Sequence, residues 1–173
     1  MVFVDECGTH TSMTRLRARA PRGERVYGLV PRNRGKNTTL LASMTHEGMG
    51  PAMTVVGSTT KVVFETYVER VLAPSLCAGQ VVVLDNLGAH RGERVRELVE
   101  ARGCSLVFLA PYSPEFSPIE EAFSKVKALL RKAKARTRGT LVEAIGRALD
   151  SVGAEDARGF FGHCGYPIGA QRL

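Results

Sequence analysis

The chain reads Val-Val-Val-Leu-Asp-Asn over residues 81–86, four apolar residues that lead directly into an acidic side chain. Residues 2–6, Val-Phe-Val-Asp-Glu, repeat this arrangement near the N-terminus. Short apolar runs rich in β-branched residues predict buried strands. A carboxylate at the end of such a strand is held on a rigid element, yet it can face a cleft at the edge of the sheet. The two stretches therefore predict both the sheet and a site beside it.

The remaining pattern predicts an α/β fold. Apolar runs favour further strands at 25–30, 38–44 and 105–109, with a shorter one near 52–56, and helical spacing favours helices over 60–72, 91–102, 118–134 and 140–152. Strands joined by short connections, followed by a strand–helix alternation, predict a mixed five-stranded sheet with helices on both faces. The glycine-rich tail after Gly159 has no clear pattern.

Length and composition indicate one globular domain over residues 1–173. The chain is 44% hydrophobic and 24% charged, and its four cysteines include no Cys-x-x-Cys pair. The start of the chain lacks the basic region and long apolar run of a signal peptide, and no apolar run is long enough to span a bilayer. We expect a cytoplasmic protein with no membrane partner.

The formal charge of +7 is concentrated in two clusters. Each has many bases and at most one acid, which favours a polyanion such as double-stranded DNA over a merely solvated surface. The residues we expect to contact DNA are Arg15, Arg17, Arg19, Arg32, Arg34 and Lys36 in the first cluster, and Lys125, Lys127, Arg131, Lys132 and Lys134 in the second.

Three acids are candidate catalytic residues and metal ligands: Asp5, Asp85 and Glu120. Carboxylate oxygens suit hard divalent ions, and two such ions promote in-line displacement at phosphorus. Asp5 is the natural bridging ligand, although Glu6 beside it leaves open which acid faces the site, since neighbouring strand residues point to opposite faces. The alternative for Asp85 is an Asp-Asn turn that ends its strand.

Glu120 has a non-metal alternative as well. Ser117 and Pro118 are typical of a helix start, so the Glu120 carboxylate could close a capping box on Ser117. Against this, Glu120, Lys127 and Arg131 share one polar face of the predicted helix, a pattern suited to a DNA strand passing the acid.

Two other phosphate chemistries are excluded by single residues. A phosphotransferase that forms an aspartyl-phosphate usually has a second acid two residues after the first, and Cys7 stands there. A phosphate-binding loop at Gly35-Lys36 would require glycine at position 30, where the chain has Val30.

The motifs Val4-Asp5-Glu6, residues 85–90 (Asp-Asn-Leu-Gly-Ala-His) and residues 111–120 (Pro-Tyr-Ser-Pro-Glu-Phe-Ser-Pro-Ile-Glu) resemble the catalytic domain of DDE transposases of the mariner-like superfamily, in particular its bacterial insertion-sequence branch. The 34 residues between Asp85 and Glu120, positions 86 to 119, match the interval typical of that branch. The resemblance covers residues 2–131.

The resemblance implies a ribonuclease H-like fold, a two-metal site for Mg²⁺ or Mn²⁺, and cut-and-paste transposition at transposon ends. It maps the catalytic acids onto Asp5, Asp85 and Glu120, with His90 and Asn86 as candidate accessory residues. It further implies a homodimer when active, and a bacterial cytoplasmic protein that joins the nucleoid when bound to DNA.

The sequence departs from the family pattern at three points. Ser117 and Phe123 replace the usual Asn and Trp, both mild changes. Such transposases also carry helix-turn-helix domains ahead of the first aspartate, whereas Asp5 lies almost at Met1. We therefore expect that recognition region to be absent or separately encoded. The alternatives are an inactive remnant that only binds DNA or a partner protein, and another ribonuclease H-like nuclease such as a resolvase.

Overall fold

The computed structural model describes residues 1–33, 35–111 and 113–166. A central sheet contains β1 (Val2–Thr9), β2 (Thr38–Thr45), β3 (Gly48–Val56), β4 (Val81–Leu84) and β5 (Ser105–Phe108). The helices are α1 (Lys61–Tyr67), α2 (Glu93–Glu100), α3 (Pro118–Ala133), α4 (Arg138–Asp150) and α5 (Ala154–His163). Short π and 3-10 turns cover Val68–Leu72, Ala73–Ser75, Gly88–His90 and Pro114–Phe116.

The strand order across the sheet is β3-β2-β1-β4-β5, so β1 lies at the centre. It pairs antiparallel with β2 and parallel with β4, and β4 pairs parallel with β5. Val4 lies opposite Leu84 in the parallel pair. The residue that follows each of them is an aspartate, so Asp5, within β1, lies next to Asp85, the first residue beyond the end of β4.

Helices cover both faces of the sheet, as predicted for this α/β fold. Even-numbered residues of β1, such as Val2 and Val4, join the core beneath α1 and α2. Odd-numbered residues, such as Phe3 and Cys7, join the core beneath α3, α4 and α5. Alternation along one strand therefore decides which acid faces which helices.

The predicted number of five strands is confirmed, but the strand predicted at residues 25–30 is not formed. Residues 25–30 form no regular structure and are exposed, with Leu29 98% and Tyr27 85% accessible. Their apolar side chains have no helix to pack against, and Gly28 and Pro31 interrupt the run. The third antiparallel position is instead taken by Gly48–Val56, of which only the second half was expected.

The predicted helices are present with small shifts at their ends, and α5 was missed. Gly159 and Gly162 lower the intrinsic helix propensity of this segment. Packing overrides that preference, because Ala157 and Phe161 are buried against the sheet. The ring of Phe161 meets that of Phe3 edge-on, with centroids 5.2 Å apart.

None of the described helices combines the length and the apolar character that crossing a bilayer would require.

Replacing Phe161 with alanine tests the packing of α5. We expect Phe161→Ala to lower the free energy of unfolding by ~3–5 kcal/mol, because it leaves a cavity beside Phe3. Urea unfolding followed by far-UV circular dichroism measures this loss. Phe116→Ala is the control, since Phe116 is 48% exposed and should change stability by no more than ~0.5 kcal/mol. Equal small losses in the two variants would contradict the docking of α5.

Candidate active site

The three predicted acids line a single cleft at the edge of the sheet. The strand predicted over residues 2–6 continues to Thr9, so Asp5 lies within β1 and not at its end. Asp85 directly follows β4 and Glu120 lies in the first turn of α3, and the three acids surround a volume of about 350 Å³. The other lining residues are Asn86, Leu87, Leu109, Ala110, Pro111, Ser113, Pro114 and Ser117.

Asp5, and not Glu6, faces this cleft. It shares the α3 side of β1 with Phe3 and Cys7 and is only 8% exposed. Its Oδ1 accepts a hydrogen bond from the backbone N–H of Glu6 at 2.7 Å. The ambiguity between the two neighbouring acids is thus resolved by strand alternation, which directs Glu6 to the α1–α2 side.

Negative charge is concentrated around Asp5. The pKa of Asp5 is raised to about 7, chiefly by burial and in smaller part by repulsion from Glu120, Asp85 and Glu6. The hydrogen bond from the backbone N–H of Glu6 lowers that pKa and only partly offsets these effects. A proton or a cation is therefore favoured at this carboxylate.

Glu120 does not close the capping box that we considered as an alternative. The N–H of Ser117 donates to the carbonyl of Pro114 at 2.9 Å, so it is unavailable to the Glu120 carboxylate. Within the described residues, the Ser117 side chain makes no capping bond to α3. Ile119, on the apolar side of the same helix, is fully buried, which fixes the helix and leaves Glu120 exposed to the cleft.

Asp85 takes part in a turn as well as in the cleft. Its Oδ1 accepts a hydrogen bond from the N–H of Leu87 at 3.3 Å, the local turn that we had weighed as an alternative. The same oxygen contacts Nδ1 of His90. Ending the strand and lining the cleft are therefore compatible roles for this aspartate.

His90 lies behind Asp85 and is fully buried. Its Nε2 is 2.8 Å from Oε2 of Glu6, so the imidazole joins two carboxylates. Burial, the largest single effect, lowers the pKa of His90, but the hydrogen bonds to Asp85 and Glu6 outweigh it and raise that pKa to about 9. Alternation in β1 could indicate that Glu6 points away from Asp5, but not that it meets a histidine 84 residues away.

Asn86, the other candidate accessory residue, lines the cleft beside Asp85. Its side-chain oxygen accepts a hydrogen bond from Nε of Arg91 at 2.6 Å.

The donor set fits a hard divalent cation, since all three acids supply oxygen ligands and the two other cleft acids repel the charge of Asp5. In the described part of the chain, however, no group of three or more His, Cys, Asp or Glu side chains is arranged to hold a metal ion. The carboxylates share one cleft, but they are not drawn together around a common point.

The two basic clusters differ in how their residues are held. Most members of the first cluster are exposed on the irregular segment between β1 and β2, whereas Arg34 lies outside the described residues. This segment is attached to the domain by Arg136, whose Nη1 donates to the carbonyls of Thr11 and Met13 at 2.8 and 3.1 Å. Lys134 lines the same surface depression as Arg15 and Arg17, so the two clusters meet at this point.

Lys125 and Lys127 have different environments on α3. Lys125 forms an ion pair with Asp156 and donates to the carbonyl of Ser151 at 3.0 Å, which joins α3 to the start of α5. Lys127 instead follows Glu120 on the same helix, roughly 10 Å further along the axis. Burial raises the pKa of the Cys7 thiol to about 12, and the nearby charge of Lys127 opposes this rise. Lys127 therefore lies close to β1 just beyond Asp5.

A family model described as DDE superfamily endonuclease matches residues 1–142. Because this covers most of the 173 residues, the chain belongs to the DDE superfamily of endonucleases. Enzymes of this superfamily use divalent metal ions. No curated protein of similar sequence was found.

Solved structures of the Mos1 transposase share the fold. Its paired-end complex with the left transposon end matches with a TM-score of 0.71 and 18% identity, over 96% of this chain and 52% of the Mos1 chain. The Mos1 mariner paired-end complex with Mn matches with 0.66 and 15%, over 94% and 52%. The catalytic domain of Mos1 mariner transposase matches with 0.65 and 14%, over 94% and 76%. This chain spans about half the length of Mos1 in the complexes.

These matches confirm the ribonuclease H-like fold class that the motifs implied. Assignment to the bacterial insertion-sequence branch stays a prediction.

Asp5→Asn is expected to stabilise the metal-free protein at pH 8. The unfolded chain releases the Asp5 proton near the ordinary pKa of 3.8, whereas the folded protein keeps it to about pH 7. The folded state binds more protons between these values, so the free energy of unfolding falls as pH rises through this window. Removing the charge should restore ~1–4 kcal/mol at pH 8 and little at pH 4.

Urea unfolding in EDTA at both pH values measures this difference. Glu47→Gln, at an exposed turn residue between β2 and β3, controls for the loss of one negative charge. A gain in Asp5→Asn that is the same at pH 4 and pH 8 would contradict the raised pKa.

Proposed function

We propose that this chain is the catalytic domain of a transposase, a metal-dependent DNA endonuclease and strand transferase that acts at transposon ends. The observation that supports this most strongly is the convergence of Asp5, Asp85 and Glu120 in one cleft of a DDE superfamily domain. The same acids were expected to act from the sequence motifs alone. Residues 1–173 would then form a single catalytic domain.

Asp5, Asp85 and Glu120 would hold Mg²⁺ or Mn²⁺ in a two-metal site. Asp5 is the proposed bridging ligand because it lies nearest the centre of the sheet and is the most buried of the three. Asp85 and Glu120 would each complete the ligands of one ion. Bound divalent ions supply charge stabilisation and activation of the attacking oxygen during in-line displacement at phosphorus. Structures of Mos1 with Mg and with Mn share this fold.

The proposed reaction has two displacements at the same cleft. A water oxygen attacks the phosphorus at the transposon end, loses its proton, and the bond to the 3′-oxygen breaks to leave a 3′-hydroxyl. That hydroxyl then attacks a target phosphodiester, so one phosphodiester forms as another breaks. The central strand β1, the end of β4 and α3 would keep the three carboxylates in place through both steps.

Double-stranded DNA, as transposon ends and as target, would lie over the basic surface beside the cleft. Arg15, Arg17, Arg19, Arg32 and Lys36 would contact phosphates from the irregular segment, and Lys127, Arg131, Lys132 and Lys134 from α3 and its end. Arg34, which lies outside the described residues, is included among these proposed phosphate contacts on the basis of the sequence alone. Such contacts give affinity and salt dependence rather than sequence choice. We leave Lys125 out of this surface, because Asp156 neutralises it.

Sequence-specific end binding would come from a helix-turn-helix region that residues 1–173 do not include. The active form would be a homodimer, since cutting and joining two ends needs two catalytic sites. We place the protein in the bacterial cytoplasm, on the nucleoid when it is bound to DNA.

The proposed activity is tested by nicking of a supercoiled plasmid with Mg²⁺, Mn²⁺ or EDTA. Nicking should require the metal and should fall by more than ~100-fold in Asp85→Asn, because one metal ligand becomes a neutral amide. Asp150→Asn, at an exposed acid at the end of α4, should cut like the wild type. Wild-type cutting by Asp85→Asn would refute the assignment of the site.

Other outcomes favour the other candidate functions. DNA binding without metal-dependent nicking would indicate an inactive remnant, or a domain that requires its recognition half. Preferential cutting of branched junctions over linear ends would indicate a nuclease of the resolvase type.

The salt dependence of DNA binding should separate Lys127 from Lys125. Lys127→Ala is expected to reduce the slope of log K against log salt by about 1, since one phosphate contact is lost. Lys125→Ala should leave that slope unchanged, because this lysine already neutralises Asp156. Both slopes can be measured by fluorescence anisotropy with a short DNA duplex. The salt concentration is varied between about 50 and 200 mM, the range over which such binding weakens strongly. Equal slopes would contradict a DNA surface along α3.

A further inference from the structure

His90 is held between two carboxylates that belong to opposite sides of the sheet. Its Nδ1 contacts Oδ1 of Asp85, on the cleft side, and its Nε2 lies 2.8 Å from Oε2 of Glu6, which β1 directs to the α1–α2 side. The imidazole has no exposed surface and stacks on Phe64, with ring centroids 4.0 Å apart and planes tilted by 30°. The ring is therefore fixed in position and in orientation.

Among the described residues, the hydrogen bonds to the Asp85 side chain use one of its two oxygens. Nδ1 of His90 and the backbone N–H of Leu87 both reach Oδ1, the second at 3.3 Å. The Asp85 side chain is 36% exposed toward the cleft, so the other oxygen, Oδ2, is left for a ligand there. Because hydrogen bonds fix Oδ1 on the side away from the cleft, the direction in which Oδ2 faces the cleft is fixed as well.

We propose that His90, anchored by Glu6, is a positioning residue that sets the orientation of the Asp85 carboxylate for metal binding. This inference rests on the proposed function, because it assigns Asp85 to the metal site. Glu6 then acts through His90 and is not itself a metal ligand, although it adjoins Asp5 in sequence. Hydrogen bonds to the outer side of a ligating carboxylate commonly fix its geometry in this way.

The position of Asp85 explains why such support is needed. It is the first residue after β4, and the chain beyond it enters a short turn at Gly88–His90 instead of continuing the strand. An aspartate at such a junction has several staggered rotamers open to it. The hydrogen bond from His90 selects one of these rotamers. An apolar side chain at position 90 could pack on Phe64 equally well, but it would not fix the rotamer of Asp85.

Mn²⁺ binding to the metal-free full chain, measured by isothermal titration calorimetry, tests the proposal. His90→Ala should weaken Mn²⁺ binding by about 10- to 100-fold, the range typical when a group supporting a ligand is removed. Glu6→Ala should weaken it in the same direction. The double variant should be no weaker than His90→Ala alone, because Glu6 has no effect once its intermediary is gone. Glu6→Gln keeps an acceptor for Nε2 and should bind more tightly than Glu6→Ala.

Tyr67→Phe is the matched control for a change in stability alone. Tyr67 is fully buried in the same core as Phe64, and its hydroxyl donates to the carbonyl of Pro51 at 2.9 Å. This variant should lower the thermal midpoint in EDTA without weakening Mn²⁺ binding. Glu6→Ala provides the test if His90→Ala fails to fold, because the Glu6 side chain is already 20% exposed.

The outcomes separate this inference from the proposed function. Absence of Mn²⁺ binding by the wild type, or unchanged binding by Asp85→Asn, would overturn both. Binding that is lost in Asp85→Asn but kept in His90→Ala or Glu6→Ala would overturn the positioning role alone. Additive losses in the double variant would overturn it as well, because they would make Glu6 an independent contributor.

Discussion

Parallel pairing of β1 with β4 is the constraint on which the rest of the molecule depends. The last pair of this parallel register is Val4 with Leu84, so the next residue of each strand, Asp5 and Asp85, is placed side by side where β4 ends and β1 continues. The remaining elements hold this edge in place: β2 and β5 flank the pair, and helices bury both faces. Glu120 joins the two aspartates only because the apolar side of α3 packs onto the α3–α5 face of the sheet.

The cleft is electrostatically unfavourable as it stands. A nearly buried aspartate with two further carboxylates around it lowers stability unless a proton or a cation is present. The two large apolar cores on either side of the sheet offset that cost. Binding sites are typically stabilised in this way: packing elsewhere in the domain supplies the stability, and the site keeps an unfavourable arrangement that a ligand relieves.

Much of this arrangement could be predicted from short patterns. The apolar runs ending at Asp5 and Asp85 indicated both strands and the edge that they share, and the spacing to Glu120 indicated the third acid. The strand expected at 25–30 was wrong because an apolar run does not show whether a partner surface exists for it. Helix α5 was missed because packing of Phe161 outweighed the glycines around it. The contact between Glu6 and His90 is tertiary, and no local pattern contains it.

The alternation of β1 also affects which changes to its length the chain can accept. Asp5 and Glu6 lie next to each other but face opposite sides of the sheet, one toward the cleft and the other toward His90. Adding or removing a single residue ahead of them in β1, with the strand's pairing kept, would turn each of them to the opposite face of the sheet. A deletion would place Glu6, with its longer side chain, at the position of Asp5 in the cleft, and an insertion would place Asp5, with its shorter side chain, at the position of Glu6 beside the imidazole. In-frame insertions of one codon here should therefore be as damaging as substitution of the acids themselves.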